Sequence, residues 1–174
     1  MRMLFPILLL ATAATAQPAT KAPVPGVPTN PDALKGVSGE KLPRFVSLRS
    51  GDANMRTGPG RDYPISWNFR RAGIPLEVLR EWNVWRLVRD PDGATGWMDR
   101  AMLSGERTLM VTRSIRTLHA QPDVSSPAVW RAEPGVVGRV VMCANSWCRI
   151  EIEGKSGYIL REHTTGSYPN EPIG

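Results

Sequence analysis

Four side chains in this 174-residue sequence could act as nucleophiles or metal ligands of the softer kind: His119 and His163, the only histidines, and Cys143 and Cys148, the only cysteines. A Cys–His nucleophile would have to be assembled from these four. His119 falls in an expected loop and His163 in the closing segment, and neither cysteine has a Ser or Asn signature beside it. Motif and context together therefore point away from an enzyme. A single C-x4-C pair with scattered histidines is poor zinc grammar, so no metal and no cofactor is expected. The cysteines flank "ANSW" at an expected strand connection. Facing each other across a hairpin of an exported chain, they are read as a Cys143–Cys148 disulfide, in preference to a metal site or free thiols.

Aromatic and cationic residues offer a second chemistry, that of binding. Tyr63, Trp67, Trp82 and Trp130 fall in expected loops or turns, where burial is hard to arrange. Sharing one face, several of them would form a shallow groove for stacking on peptide or sugar. Tyr63 and Trp67, directly after "RTGPG", lead this group, and Trp97 joins it. Arg56, Arg61, Arg70 and Arg71 could grip carboxylates with two-point guanidinium contacts, or remain solvated charges. Arg56 is divided between bracing the fold and touching a ligand. Trp85 and Trp147 are expected in the core.

The elements that would position these residues come in two copies. "NMRT" (54–57), "RAGIPLEVLREWNVWRLV" (71–88) and "TGWMDRAML" (95–103) line up with "SIRT" (114–117), "EPGVVGRVVMCANSWCRI" (133–150) and "SGYILRE" (156–162). Gly73 to Trp85 and Gly135 to Trp147 are each twelve steps. A repeat of this kind changes the domain count. "PLEVLRE", "VWRLVR", "GRVVMC" and "WCRIEI" alternate apolar side chains as strands do, and "DPDG" and "EGKSG" punctuate them as turns. "RFVSLRS" and "RTLMVTRS" would open the two units. No window shows a sustained helical period. The fold class is all-β: two tandem small β-barrels of five or six strands, over 44–105 and 106–168, with 169–174 as a tail. Closure would hide the edges of such short strands. Only Leu103 to Arg107 connects the two, which leaves little slack and predicts a fixed interface.

Ahead of the barrels, "MRMLFPILLLATAATAQ" has the pattern of a signal peptide over residues 1–16, too short in its apolar run to span a bilayer. Residues 17–43, with prolines and no aromatics, read as an extended, disordered linker. The expected location is periplasmic or secreted, with no stable membrane span after cleavage. The full sequence carries 22 basic and 16 acidic residues, a net charge of +6. An exported basic protein meets anionic surfaces of the cell envelope. No arginine-rich or aromatic-interleaved motif argues for nucleic acid.

An apolar-Arg-Thr-Gly-Pro-Gly segment, a glycine before "PLEVL", a Trp opening the next strand and a "GW" after a turn together resemble the bacterial SH3 (Src homology 3-like) family. The resemblance is strong over 44–104 and weaker over 107–165. It implies SH3-like barrels of exported, wall-associated proteins that bind peptides, often of the cell wall, on the face beside the "MRTGPG" loop. The implied partner is a cell-wall peptide, recognised through the first barrel by Arg56, Arg61, Tyr63, Trp67, Trp82 and Trp97. The alternative is an envelope protein recruited by an adaptor. The second copy reads "IRTLHAQPD" where the first reads "MRTGPGRDY", which favours the first as the binding copy.

Overall fold

The computed structural model describes residues 36–174; the expected signal peptide and the expected linker up to residue 35 lie outside the described residues. The first unit comprises β1 (Arg44–Leu48), β2 (Ala53–Arg56), β3 (Ile65–Phe69), β4 (Pro75–Trp82), β5 (Trp85–Arg89), β6 (Thr95–Asp99), a 3-10 turn (Arg100–Met102) and β7 (Leu103–Ser104). The second repeats that series as β8 (Thr108–Val111), β9 (Arg116–His119), β10 (Ala128–Ala132), β11 (Val137–Ala144), β12 (Trp147–Ile152), β13 (Lys155–Leu160), a 3-10 turn (Arg161–His163) and β14 (Thr164–Thr165). The strand orders, β3-β2-β6-β5-β4-β1-β7 and β10-β9-β13-β12-β11-β8-β14, are the same walk. The chain is all-β, with two tandem SH3-like barrels. Each has seven strands rather than five or six, because β3 and β10 are strands where loops were expected and β7 and β14 add a two-residue pairing.

Alternation explains the long hairpins. In β5 the even positions Arg86 and Val88 point inward and Trp85, Leu87 and Arg89 outward, as period-two geometry requires. Each barrel closes its own core: Leu48, Met55, Leu76, Val78, Val88 and Met98 in the first, and Leu109, Val111, Leu118, Ile150 and Ile159 in the second. Asn83 (φ 50°) and Asn145 (φ 52°) occupy the same place in the β4–β5 and β11–β12 turns, in the left-handed region that Asn tolerates. Gly96 and Gly157 let β6 and β13 cross close to the core, since a Cβ there would press on Met55 and Leu118 respectively. In the second hairpin Cys143 and Cys148 are direct ladder partners and form the expected disulfide.

The segments flanking the barrels are docked onto them. Leu42, expected in the linker, is 3% exposed inside the first core. Ser38 donates its backbone N–H to Glu81 Oε2 at 2.8 Å. At the other end, Ile173 pairs with Cys143 in an isolated bridge, and Glu171 receives two guanidinium bonds from Arg107, at 2.7 and 3.0 Å.

The barrels also touch each other. Thr108 Oγ1 donates to the Gly73 carbonyl at 2.6 Å, and Arg71 Nη1 to the Gly135 carbonyl at 2.7 Å. The rings of Phe45 and Tyr168 meet at 4.9 Å between centroids, with the Arg107 guanidinium 5.9 Å from the Phe45 centroid.

Candidate ligand-binding clefts

Strand ladders give the structural register of the repeat, and it differs from the Arg-Thr pairing read in the sequence. Met55 stands opposite Trp67 and Leu118 opposite Trp130. Arg56 pairs with Trp97, and His119 with Tyr158. The counterpart of Arg56 is therefore His119, not Arg116. Strand register follows the inward face, where Met55 and Leu118 are buried, and a two-residue likeness three positions away does not set it. The loop that follows each strand confirms the match. Arg56 Nη1 donates to the Tyr63 carbonyl at 2.7 Å, and His119 Nδ1 lies 3.0 Å from the Ser126 carbonyl at the equivalent position. Backbone bonds Thr57 N–H to Pro64 and Ala120 N–H to Pro127, both 3.0 Å, close the two loops alike. Arg56 and His119 thus brace the same turn.

Both barrels open a cleft beside the tryptophan of the repeat. In the first, of about 360 Å³, the lining is Asp52, Asn54, Arg56, Arg61, Trp85, Asp99 and Met102. Trp85 and Asp99 are ladder partners, so both side chains leave the sheet on one face. Two guanidiniums and two carboxylates surround one half-exposed indole. Asp52 accepts from Asn68 Nδ2 at 2.9 Å and Asp99 from the Ala101 N–H at 2.9 Å, which leaves acceptor capacity on each carboxylate. A cleft with both signs of charge around an aromatic face suits a polar ligand that carries an amine and a carboxylate, as peptides do.

Of the residues expected at the site, Arg56 and Arg61 line this cleft. Trp82 is the ladder partner of Trp85, and Trp97 that of Arg56, so both stand on the same outer face. Tyr63 packs its ring on the Gly-Pro-Gly bend, where a Cβ on Gly58 would collide with it. Trp67 and Trp130 lie in strands β3 and β10, not in loops; Trp67 is 58% exposed and Trp130 packs half-buried on the second core. Trp85 and Trp147, expected in the core, are the central residues of the clefts instead. Repeat spacing identified a shared position but not its face: Arg86, held by the fully buried Glu81 carboxylate at 3.1 Å, takes the inward place that a hydrophobic residue would signal.

In the second barrel the cleft, of about 220 Å³, is lined by Ile115, Arg116, Thr117, His119, Val124, Trp147, Leu160 and His163. By ladder register, all but Arg116 match the seven residues of the first cleft. Ile115 replaces Asp52, Val124 replaces Arg61, Leu160 replaces Asp99 and His163 replaces Met102. The two histidines, which looked scattered in the sequence, come together here. His119 meets Trp147 edge-on, with centroids 5.7 Å apart. His163 is held below the usual imidazole range, by burial first and then by the positive charge of Arg116, against a smaller opposing effect of Glu162. Among the described residues no group of three His, Cys, Asp or Glu side chains is placed to hold a metal ion.

Two barrels of identical strand order, each with a cleft at the same strand positions, define a tandem SH3-like protein. The chain belongs to the bacterial SH3 domain family, whose model matches residues 49–105 and again 115–166, one match per barrel. No curated protein matches it. Among solved structures, NlpC2 from Trichomonas vaginalis is similar over 71% of this chain and 48% of its own, at 13% identity and a TM-score of 0.32. This chain therefore spans about half the length of that protein.

Proposed function

We propose that this protein is an exported, non-catalytic binding module that recognises cell-wall peptides through the cleft of its first barrel. The observation that carries the reading is the grouping of Trp85 with Arg56, Arg61, Asp52 and Asp99 in one cleft. An indole face offers stacking and apolar contact, while the flanking charges fix the orientation of a ligand with both amine and carboxylate groups. The leader pattern of residues 1–16 and the positive net charge suit a periplasmic or secreted protein working against an anionic polymer. Membership of a family of binding domains agrees with it.

A second reading, an adaptor for an envelope protein, is favoured by Ile65 and Trp67 on edge strand β3, 50% and 58% exposed, beside Tyr63 at 48%. Co-sedimentation of the mature chain with insoluble peptidoglycan separates the two. Pelleting that is lost in Trp85→Ala and Arg61→Ala supports wall recognition through the cleft. A protein that stays in the supernatant at low and moderate salt refutes it. Pelleting lost in Trp67→Ala but kept in Trp85→Ala transfers the contact to the β3 edge.

A further inference from the structure

We propose that the second barrel has its own binding site, the Trp147 cleft, and that this site takes the C-terminal residue of a peptide, with an apolar side chain against Trp147 and the carboxylate on Arg116. The inference stands whether or not the first cleft binds anything. It begins with the divergence of the two clefts at matched positions. The first is lined by two aspartates and two arginines, and the second by no carboxylate at all.

Around Trp147 the lining is mixed: Leu160, its ladder partner, and Ile115 and Val124, 58% and 67% exposed, are apolar, while Thr117, His119 and His163 are polar. Into this setting the cleft brings a formal cation. Arg116 has no ion-pair partner among the described residues, and its Nε is buried with no hydrogen-bond partner. Arg44, Arg89 and Arg107, half-buried elsewhere in the chain, meet Glu81, Glu77 and Glu171, and buried Arg161, which has no carboxylate partner among the described residues, gives both Nη atoms to the Tyr168 and Glu171 carbonyls. A guanidinium in the state of Arg116 is matched by an arriving carboxylate, which accepts two parallel N–H bonds from it. At about 220 Å³ the cleft is below the roughly 300–1,000 Å³ of drug-sized pockets and suits a single terminal residue.

The charged groups facing the site are few. His119 on β9 is fixed by the Ser126 carbonyl. His163, on the 3-10 turn, faces Arg116 on one side and has Glu162 Oε1 3.6 Å from its Nε2 on the other. Asp123, in the β9–β10 loop, accepts the Ser125 N–H at 2.8 Å and adds a negative charge near His119. Protonation of His163 adds a second cation beside Arg116, so acid should tighten the hold on a carboxylate.

The test is NMR titration of the mature chain with three probes: N-acetyl-leucine, its amide N-acetyl-leucinamide, and acetate. N-acetyl-leucine should shift the Trp147 indole N–H saturably, and leave that of Trp85 in place. The amide and acetate should bind roughly 10- to 100-fold more weakly, the range expected when one charge-assisted contact or the apolar contact is lost. Arg116→Gln should weaken N-acetyl-leucine to the level of the amide. Val124→Asp, at an exposed position that leaves the core untouched, should weaken it by repulsion. Between pH 7 and pH 5 the wild-type affinity should rise, and in His163→Gln it should not. Absence of a saturable shift, equal binding of the acid and the amide, or indifference to Arg116→Gln and Val124→Asp would each overturn the proposal.

Discussion

Tyr168 donates its hydroxyl to Glu77 Oε1 at 3.1 Å, joining the end of the second barrel to strand β4 of the first. Burial, the Glu77 charge and the hydrogen bond to it together push the phenol well above its ordinary range, so it stays a donor at any physiological pH. Tyr168→Phe should lower stability by about 1 kcal/mol, the typical net worth of a hydrogen bond. Tyr168→Ala should cost more, because it also removes the Phe45 ring contact. Urea unfolding followed separately through each barrel checks both, and the loss should appear in the two halves together.

Glu81 gives the fold its acid limit. Its side chain is fully buried and bonds Arg44 at 2.7 Å and Arg86 at 3.1 Å. Burial works to raise its carboxyl, but the Ser38 N–H and Arg44 outweigh that and hold it below the ordinary carboxylate range. A carboxyl with a lowered folded value stabilises above its unfolded value, near pH 4.3, and loses that contribution as pH falls through the folded one. Glu171, also lowered, adds in the same direction. Stability should begin to fall as pH drops through the unfolded value of His163, near pH 6.5, because the fold holds that imidazole lower, and should fall further below about pH 5 as Glu81 and Glu171 protonate. Glu81→Gln should cost about 3–5 kcal/mol, because two guanidiniums lose their buried counter-charge, and should flatten the acid limb of the curve.

Reduction of Cys143–Cys148 should destabilise the second barrel by about 2 kcal/mol, given the short loop it closes. The same hairpin anchors Ile173 through the bonds of Cys143 N–H to the Ile173 carbonyl at 2.7 Å and the return bond at 3.2 Å. Amide exchange at Ile173 should therefore quicken in the reduced protein. Exchange in β2 and β6 should be unchanged.

Gly58→Ala should lower stability by about 1–3 kcal/mol, since the new Cβ collides with the Tyr63 ring and the loop has to shift. The equivalent residue in the second barrel is Gln121, beside Ser126, so no ring is seated there. Thermal melts measure the loss, and displaced Tyr63 ring resonances show its origin.

The hairpins β4–β5 and β11–β12 were readable from alternation and from their matched spacing, and so was the disulfide. Strands β3 and β10 were not, because they are edge strands next to turn-rich sequence and several of their side chains face solvent, so alternation did not report a core. The clefts were half readable. Arg56 and Arg61 could be named from residue type and proximity to the bend, but Trp85 and Trp147 could not, because spacing does not say which face a side chain takes. The meeting of His119 and His163 was invisible in the sequence, where 43 positions separate them (163 − 119 − 1). It is set by the β9–β13 pairing and by the 3-10 turn that follows β13.

The bonds from Thr108 to Gly73, Arg71 to Gly135 and Tyr168 to Glu77 hold the two clefts at one separation. Under the two proposals made above, a ligand that offers its binding groups at repeated intervals would meet a ruler. A chain whose repeat matches the span would then engage both clefts, the second contact gaining from a high effective concentration, whereas a mismatched chain would bind through one cleft at a time.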